Sequence, residues 1–481
     1  MPETILQRRN LYLSGASTVL GLLVALSTLA WGPWNDEFWT LASTARGLTL
    51  HEFLGNMYRD QHPILYYGLI YLAQASGITD LVALRSFNIL GFILVAVTLA
   101  YAHRQKTING GQILFVAVIY ASSPLFLAYF AELRAYFILY SASISISILW
   151  LTIAQRVDET RVVSRGLIAA WTACLAVFVN LHYFATIFGG LLTLALLADL
   201  AWRKRWRLAA AIAAVSLAAA APAVFLGAIQ ARFSLSGQMS WITTTFPQAI
   251  AIVAIIVAKA AALNVPAIGC AIIAALTPTE DRALRQQRRN IVVLIALTAL
   301  FFGLMIGLNA VTPLIWDRYL MSAAGAVTVA IALLAGSAVA PKWGPAATAI
   351  VAVAWQIYGI TWLDYDHRGF SPIAAAIVQT TAECKTTKVY AFIPAEGAAE
   401  RRMGFRYYAE KFGFSYAEIA SKAPQPITGG ACPSLLWIWG TRFDAGKSAA
   451  QIVRDYDLRV EGNAVLELFE PQHYQILLAI R

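Results

Sequence analysis

The sequence predicts a polytopic α-helical membrane protein with about 11 transmembrane helices and a small C-terminal α/β domain. The first observation is composition: of 481 residues, 59% are hydrophobic and only 13% are charged, roughly half the charged share of a soluble domain. The second is that apolar runs alternate with short basic clusters. The third is a change of composition near residue 364. Together these observations exclude an ordinary soluble globular protein.

The charge distribution divides the chain into a membrane part, 1–363, and a soluble part, 364–481. The first part holds 23 Lys and Arg against 13 Asp and Glu, whereas the second holds 13 of each. The whole net charge of +10 therefore lies in the apolar part. Because its cations stand in short clusters between apolar runs, they indicate cytoplasmic loops rather than a nucleic-acid surface.

These clusters predict the topology of the membrane part. The first apolar run, Leu11 to Trp31, is an uncleaved span of about 20 residues. Two spans between successive basic clusters give ten, and Gly344 to Leu363 is the eleventh, which carries the tail outside. Pro63 to Gly77, about 15 residues long, is short for a span and is expected to be interfacial or re-entrant. The basic clusters are Arg8/Arg9, Arg104/Lys106, Arg156/Arg161/Arg165, Arg203 to Arg207, Arg282 to Arg289, and Lys342.

The tail alternates helix-like and strand-like segments, which favours a layered sheet. Its two cysteines, Cys384 and Cys432, fit a disulfide if the tail is extracytoplasmic, but spacing alone does not establish the geometry. No Gly-rich phosphate loop follows any of its strands, so no nucleotide cofactor is expected. The tail is expected to cover or extend a site on the membrane part. The helix-like segments are Pro372 to Ala382, Ala399 to Phe412 and Lys447 to Tyr456; the strand-like ones are Lys388 to Ile393, Leu435 to Trp439, Ala464 to Phe469 and Tyr474 to Ile480.

Two acids, Asp36 and Glu37, stand among aromatic residues directly after the first span. One interpretation is a solvated loop with an interfacial aromatic belt. The other is a catalytic carboxylate whose pKa and orientation are set by a partly apolar site. Glu132 falls in the second outer loop, and the predicted topology places it on the same face of the membrane.

Asp60 and His62 precede the short apolar segment, and His182 falls at an outer turn between two spans. They suit a phosphate or a divalent metal ion such as zinc, although a single histidine is more often structural. Arg134 and Arg318 offer guanidinium groups suited to phosphate oxygens. Snorkelling, or pairing with the adjacent Asp317, is the alternative for Arg318.

Two further residues join the candidate binding group. Tyr319 follows Arg318 in the loop between spans nine and ten. Lys259 lies within predicted span eight, where a cation is costly unless it is paired or borders a cavity. We expect Lys259 to approach a lipid phosphate. A roughly 20-residue outer loop with Arg232, Phe233, Trp241 and Phe246 suits acceptor or lipid binding.

These motifs together resemble the GT-C fold glycosyltransferases of the protein O-mannosyltransferase and aminoarabinose transferase type. The matching elements are Asp36-Glu37, the segment Asp60 to Tyr67, Glu132 with Arg134 and Tyr136, and Arg318-Tyr319. The resemblance covers the membrane part. One departure is Ile64, where the family usually has a second proline; another is Glu132, where some relatives have Asp. Neither removes a needed chemical group.

The resemblance implies transfer of a sugar from a polyprenyl-phosphate donor to a glycolipid, polysaccharide or protein acceptor at the outer face, with inversion. Asp36 would deprotonate the acceptor hydroxyl, and Glu132 would orient the acceptor or assist Asp36. Arg134, Arg318 and His62 would stabilise the leaving lipid phosphate. The expected location is a bacterial cytoplasmic membrane with the N-terminus inside.

Two alternatives remain at this point. One is a polymerase or ligase of surface polysaccharide. The other is a transporter or lipid flippase, but a transporter places its charges near the midplane of paired halves, whereas these acids concentrate in outer loops.

Overall fold

The structure is a computed structural model. It describes residues 3–30, 32–33, 35–60, 62–159, 162–233, 242–337, 339–362, 372–394, 398–420, 426–440, 444, 446–470 and 475–481. The chain forms two compact units. Unit 1 comprises Met1–Ala30 and Arg46–Leu363, and unit 2 comprises Trp31–Ala45 and Asp364–Arg481.

Unit 1 is helical, and its helices begin at recognisable caps. Thr49 with Glu52 and Asn109 with Gln112 form capping boxes, which satisfy backbone N–H groups that have no partner inside the helix. The helices are α1 Glu3–Thr28, α3 Leu50–Arg59, α4 Ile64–Ala75, α5 Leu81–Arg85, α6 Ile89–Arg104, α7 Gly110–Ser122, α8 Pro124–Phe130, α9 Tyr136–Asp158, α10 Arg165–Val179, α11 Tyr183–Trp202, α12 Trp206–Phe233, α13 Phe246–Ala260, α14 Val265–Leu276, α15 Arg282–Val311, α16 Met321–Ala335 and α17 Gly344–Trp362, with 3₁₀ turns at Ser86–Asn88 and Asp317–Leu320.

Helices α9 and α16 form the buried centre of unit 1. They approach so closely that a Cβ on Gly325 would overlap the backbone of Ile144 and Ser143. The Ser143 hydroxyl donates to the Ser322 carbonyl across this contact at 2.9 Å. Small residues allow such backbone approach between helices in a bilayer, where packing rather than the hydrophobic effect drives association.

Two apolar helix pairs are bent. Helices α7 and α8 meet at 55°, where Ser123 precedes Pro124, and α13 and α14 meet at 89°. At the second bend, Ala262 and Leu263 have positive φ angles of 53° and 48°. The Lys259 carbonyl accepts from the Ala262 N–H at 2.9 Å and from the Ser123 hydroxyl of the neighbouring bent pair at 2.8 Å. Hydrogen bonds from neighbouring segments thus stabilise the backbone at the bend.

The described residues contain six helices that are long and apolar enough to cross a membrane, or up to eight if each bent pair is one span. The expected number of about 11 is reached only if three shorter apolar helices also cross: Tyr12–Thr28, Arg165–Val179 and Gly344–Tyr358. The fourth short apolar helix, Ile64–Ala75, is the segment expected to be interfacial or re-entrant. The polytopic membrane fold is confirmed. The number of spans predicted from loop charge is larger than the number obtained from helix length, because the alternation of basic clusters does not measure how long each helix is.

Asp158 connects three basic loops at one end of unit 1. It is buried at the end of α9 and forms ion pairs with Arg203 and Arg289. The Asn290 amide donates to its second carboxylate oxygen at 3.0 Å. Buried charges require such compensation.

The loop after α6 lies at the same end. Arg156 donates to the Gln105 carbonyl at 2.7 Å, and Gln287 donates to the Thr107 carbonyl at 2.9 Å. Four of the basic clusters that the sequence assigns to one side of the membrane therefore lie together at one end of the helices.

Unit 2 contains a five-stranded mixed sheet in the order β2-β1-β4-β7-β6, with β1 parallel to β2 and β4 and with β7 antiparallel to β4 and β6. Strands β3 and β5 form a separate parallel pair. The strands are β1 Val389–Phe392, β2 Ala417–Ile419, β3 Ile427–Thr428, β4 Ser434–Trp439, β5 Val460–Glu461, β6 Ala464–Glu470 and β7 Gln475–Ile480; the helices are α2 Asn35–Ser43, α18 Pro372–Glu383, α19 Ala398–Phe412 and α20 Ala449–Asp455.

The central strand β4 explains the two apolar layers of unit 2. Leu435, Trp437 and Trp439 pack with α18 and α19, whereas Leu436 and Ile438 pack with α20. Since both faces are covered, the strand is continuously apolar rather than alternating. The predicted helices and strands of the tail are confirmed, and the sequence missed only the short strands β2, β3 and β5 among the described residues.

One part of unit 2 comes from the beginning of the chain. Phe38 of α2 packs edge-on against Tyr407 and Trp439, with ring centroids 5.9 and 5.7 Å apart. The Tyr408 hydroxyl donates to the Pro33 carbonyl at 3.4 Å. Residues 31–45, which the charge distribution assigns to the membrane part, instead belong to unit 2. No local pattern in the sequence reveals a packing partner almost 370 residues away.

The structure joins Cys384 and Cys432 in a disulfide. This bond ties the segment after α18 to the segment before β4. Cys174 and Cys270 are free and buried in unit 1, as expected for small apolar side chains in helical spans.

Candidate functional site

Asp60 and His62 form the centre of the candidate site in unit 1. Asp60 ends α3, and its Oδ1 accepts from the His62 backbone N–H at 3.1 Å and from His62 Nδ1 at 2.9 Å. This pairing assigns the proton to Nδ1. The opposite ring nitrogen, Nε2, lies 3.3 Å from the Tyr136 hydroxyl, so a carboxylate, an imidazole and a phenol form one hydrogen-bonded chain.

Aromatic rings from four further segments surround His62. The ring centroids of Tyr67, Tyr136, His182 and Tyr319 lie 6.2, 6.3, 5.5 and 6.1 Å from that of His62. These residues come from α4, α9, the loop before α11 and the 3₁₀ turn before α16. Tyrosines supply both apolar ring faces and hydroxyl groups, which suits a ligand with apolar and polar parts.

Two buried arginines meet at Tyr136. The Arg134 guanidinium lies over the Tyr67 and Tyr136 rings at 5.7 Å each, and Arg318 lies over the Tyr136 ring at 5.4 Å. Arg134 also donates to the Tyr67 hydroxyl at 2.8 Å. Because a guanidinium keeps its charge when buried and matches the geometry of phosphate oxygens, this pair favours an anionic ligand.

Asp317 fixes the turn that carries Arg318. Its Oδ1 accepts from the Arg318 backbone N–H at 2.7 Å, and its Oδ2 accepts from the Tyr129 hydroxyl at 3.2 Å. Tyr129 in turn packs against Tyr136, with ring centroids 5.9 Å apart. The turn before α16 is thereby tied to the end of α8, which holds Arg318 beside Arg134.

His182 caps α11 and is buried. Its Nδ1 accepts from the Phe184 N–H at 3.2 Å, and its ring lies 4.8 Å from that of Tyr319. Burial lowers the pKa of His182 well below the usual value, with further lowering from the charges of His62, Arg134 and Arg318. His182 is therefore neutral at pH 7 and carries its proton on Nε2.

We expect His182→Asn to flatten the pH dependence of stability. In the wild type, the stability contributed by neutral His182 is complete above the unfolded pKa, about 6.5, and is lost as the pH falls toward the lower folded pKa, at up to about 1.4 kcal/mol per pH unit. Asn retains the helix cap but does not titrate. Melting of the purified chain at pH 7.5 and pH 5 measures this; an equal loss in both proteins contradicts the assignment.

Two residues that the sequence analysis did not select hold the site in place. Buried Asn88 donates to the carbonyls of Phe130 and Glu132 at 2.9 and 2.7 Å. Gln230 of α12 donates to the carbonyls of Met57 and His62 at 2.6 and 3.1 Å. The sequence shows both as polar residues within apolar runs, a pattern that suggests a buried hydrogen bond but does not reveal the partner.

Glu132, a predicted catalytic residue, is buried two residues before Arg134. Its carbonyl is the acceptor of the Asn88 amide, and its N–H donates to the Tyr129 carbonyl at 3.2 Å. The structure thus brings Glu132 into the same loop as Arg134, between α8 and α9.

The predicted acid pair Asp36-Glu37 lies in the first turn of α2, within unit 2. Glu37 is buried and Asp36 is half-buried. The Thr40 hydroxyl donates to the Asp36 carbonyl at 3.1 Å. Negative charge at a helix N-terminus is favourable, so the acids stabilise the start of the helix that Phe38 anchors.

Lys259 lies at the C-terminal end of α13, at the sharp bend, and is half-buried. A cation is favourable at this end of a helix. Helix α13 packs against the turn that carries Arg318. No hydrogen bond or ion pair joins the Lys259 ammonium to other residues of the described ranges. Of the predicted loop between spans seven and eight, Trp241 and the Phe233 side chain lie outside the described residues.

The donor set does not fit the metal site considered from the sequence. Among the residues that the structure describes, no three or more His, Cys, Asp and Glu side chains form a group that could hold a metal ion. Asp60 engages His62, and His182 Nδ1 serves the helix cap.

The candidate site and the basic loops lie at opposite ends of the helices of unit 1. Helix α9 begins beside the site at Tyr136 and ends at Asp158; it has 23 residues, which is about 34 Å of helix. Helix α11 likewise runs from His182 to the Arg203 ion pairs. This separation matches the thickness of a bilayer's hydrocarbon core.

Comparison with known proteins identifies the fold. No protein-family profile matches the chain, and no curated protein matches it in sequence. Among solved structures, ArnT from Cupriavidus metallidurans bound to undecaprenyl phosphate matches with a TM-score of 0.54, at 11% identity, over 96% of this chain and 97% of that one. The apo state of the same protein matches with a TM-score of 0.55, at the same identity and coverage. The chain therefore has the GT-C fold that its outer-loop motifs predicted.

Proposed function

We propose that this protein is a membrane glycosyltransferase that moves a sugar from a polyprenyl-phosphate donor to an acceptor hydroxyl, with inversion at the anomeric carbon. The observation that carries the proposal is the convergence of Arg134, Arg318 and His62 on Tyr136 at one end of the helices. In the same fold, ArnT was solved with undecaprenyl phosphate bound, a ligand that combines a phosphate with an apolar chain.

The leaving group explains the two arginines. When the acceptor oxygen attacks the anomeric carbon, the bond from that carbon to the phosphate oxygen breaks, and its electron pair stays on the lipid phosphate. Arg134 and Arg318 stabilise this growing charge, and they act strongly because they are buried. His62, aligned by Asp60, contributes from the same cluster.

The acceptor side of the reaction needs a base. In this proposal Asp36 takes the proton of the acceptor hydroxyl, while Glu37 and Glu132 assist or orient the acceptor. A single displacement by the acceptor oxygen inverts the anomeric configuration. The acceptor is a hydroxyl of a glycolipid, a polysaccharide or a protein.

In this proposal the protein lies in a cytoplasmic membrane, with its N-terminus in the cytoplasm and unit 2 on the outer side. The clustering of basic loops at the end opposite the site supports it, because Lys and Arg in short loops favour the cytoplasm. The disulfide of unit 2 supports it as well, since disulfides persist in oxidising compartments.

The direct test is a transfer assay with the purified chain in sealed lipid vesicles. A panel of polyprenyl-phosphate sugars labelled in the sugar is supplied together with membrane extract as the acceptor source, and NMR of the product reads its anomeric configuration. We expect label to move from one donor to a product of opposite configuration. Retention of configuration rejects the single displacement, and movement of intact donor across the membrane without transfer supports a flippase instead.

A further inference from the structure

A basic cavity lies at the end of unit 1 that is opposite to the candidate site. Its volume is about 590 Å³, and it is lined by the turn between α11 and α12 together with two residues that precede α10. The lining residues are Val162, Val163, Lys204, Arg205, Trp206, Arg207 and Leu208. The catalytic proposal uses none of them.

The lining of this cavity carries three cations and no carboxylate. The neighbouring Arg203 forms ion pairs with Asp158 and Asp199. A second cavity at the same end, of about 360 Å³, mixes Lys106 with Asp281 in its lining. The first cavity is therefore selectively suited to an anion.

Exposed aromatic and aliphatic side chains place the mouth of this cavity at a membrane surface. Trp202 and Trp206 are 87% and 63% exposed, and Val162 is 87% exposed. The two tryptophans stand where the apolar helix Tyr183–Trp202 ends and the apolar helix Trp206–Arg232 begins. Tryptophan at such positions sits at the level of the lipid headgroups, and the N-terminus of α12 adds a favourable dipole for an anion.

We propose that this cavity binds the phosphate headgroup of an anionic glycerophospholipid in the leaflet at this end of the helices. Lys204 and Arg207 contact the phosphate, while Trp206 and Val162 contact the glycerol and the first part of the acyl chains. Cationic pockets between membrane helices recognise lipid phosphates through this combination of charge and interfacial apolar contact.

The test uses the full chain in detergent, titrated with phosphatidylglycerol or phosphatidylcholine and followed by native mass spectrometry and melting temperature. We expect the wild type to prefer phosphatidylglycerol. The double variant Lys204→Gln/Arg207→Gln should bind phosphatidylglycerol on the order of 25-fold more weakly, about fivefold for each cation. Its phosphatidylcholine affinity and its lipid-free melting temperature should stay unchanged, which checks folding.

A charge-matched control variant distinguishes lipid binding in the cavity from a general effect of positive charge on the protein surface. Arg282 and Lys342 are exposed, stand in other basic clusters and line neither cavity, so Arg282→Gln/Lys342→Gln should keep the phosphatidylglycerol preference. An equal loss in both double variants overturns the proposal. Inorganic phosphate alone should not raise the melting temperature; an increase equal to that from the lipid overturns the lipid assignment in favour of a soluble anion.

Discussion

Replacing Asp36 with Asn is expected to lower the rate of sugar transfer by about 10²- to 10⁴-fold, the range typical of a general base. The amide keeps the shape of the carboxylate but does not accept the proton of the acceptor hydroxyl. Helix α2 should remain in place, because Phe38 rather than Asp36 packs into the core of unit 2. The measurement is the initial transfer rate with a saturating donor.

Asp80→Asn is the matched control for Asp36→Asn. Asp80 is exposed and caps α5 through the Ala83 N–H, and Asn is an equally good cap, so both transfer and stability should match the wild type. Glu37→Gln and Glu132→Gln should reduce transfer less than Asp36→Asn. A rate for Asp36→Asn within threefold of the wild type rejects Asp36 as the base.

Replacing either buried arginine with Gln is expected to reduce kcat for transfer by about 10²- to 10³-fold, as for the loss of one donor to a developing negative charge. Arg134 and Arg318 both lie over the Tyr136 ring, and in the proposed mechanism they act on one phosphate. The combined variant should then lose less than the product of the two single losses, because residues that act as a unit are not additive.

Lysine variants test whether a positive charge alone is enough to stabilise the leaving phosphate. Arg134→Lys and Arg318→Lys keep a positive charge but lose the planar guanidinium that can donate two parallel hydrogen bonds. Rates between those of the wild type and the Gln variants are therefore expected. Measuring KM for donor and acceptor separately gives the second readout, because a phosphate role should leave the acceptor KM unchanged. Full activity of the Gln variants, or an effect confined to the acceptor KM, contradicts the proposed contact with the leaving group.

Much of this architecture was predictable because it depends on local composition. Apolar runs separated by basic clusters predicted a polytopic protein with its cations at one end, and the contacts of Asp158 and Arg156 bring those loops together. In the tail, strand β4 and the helix Ala398–Phe412 matched their predicted positions within one residue. Periodicity and turn residues carry such information within a short window.

The candidate site was only partly predictable. Asp60 and His62 are close in sequence, so one short motif predicted both as binding residues, but it did not predict that they pair with each other. The contact of His62 with Tyr136 joins residues 74 positions apart, and Gln230 reaches the His62 carbonyl from 168 positions away. These contacts depend on how α4, α9 and α12 pack, and a single sequence does not encode that in any local pattern.

The sequence by itself determined which segments are apolar enough to prefer lipid over water, since the transfer free energy of a side chain depends on its own chemistry. It thereby determined the membrane fold class and the helices and strands of the tail. The tertiary structure decided which of those residues touch. It gathered Arg134, Arg318, His62 and His182 around Tyr136 and assigned the acid pair Asp36-Glu37 to unit 2 through the packing of Phe38. Such contacts form between side chains of segments that are distant in sequence and pack closely against one another, so they exist only once the whole chain has folded.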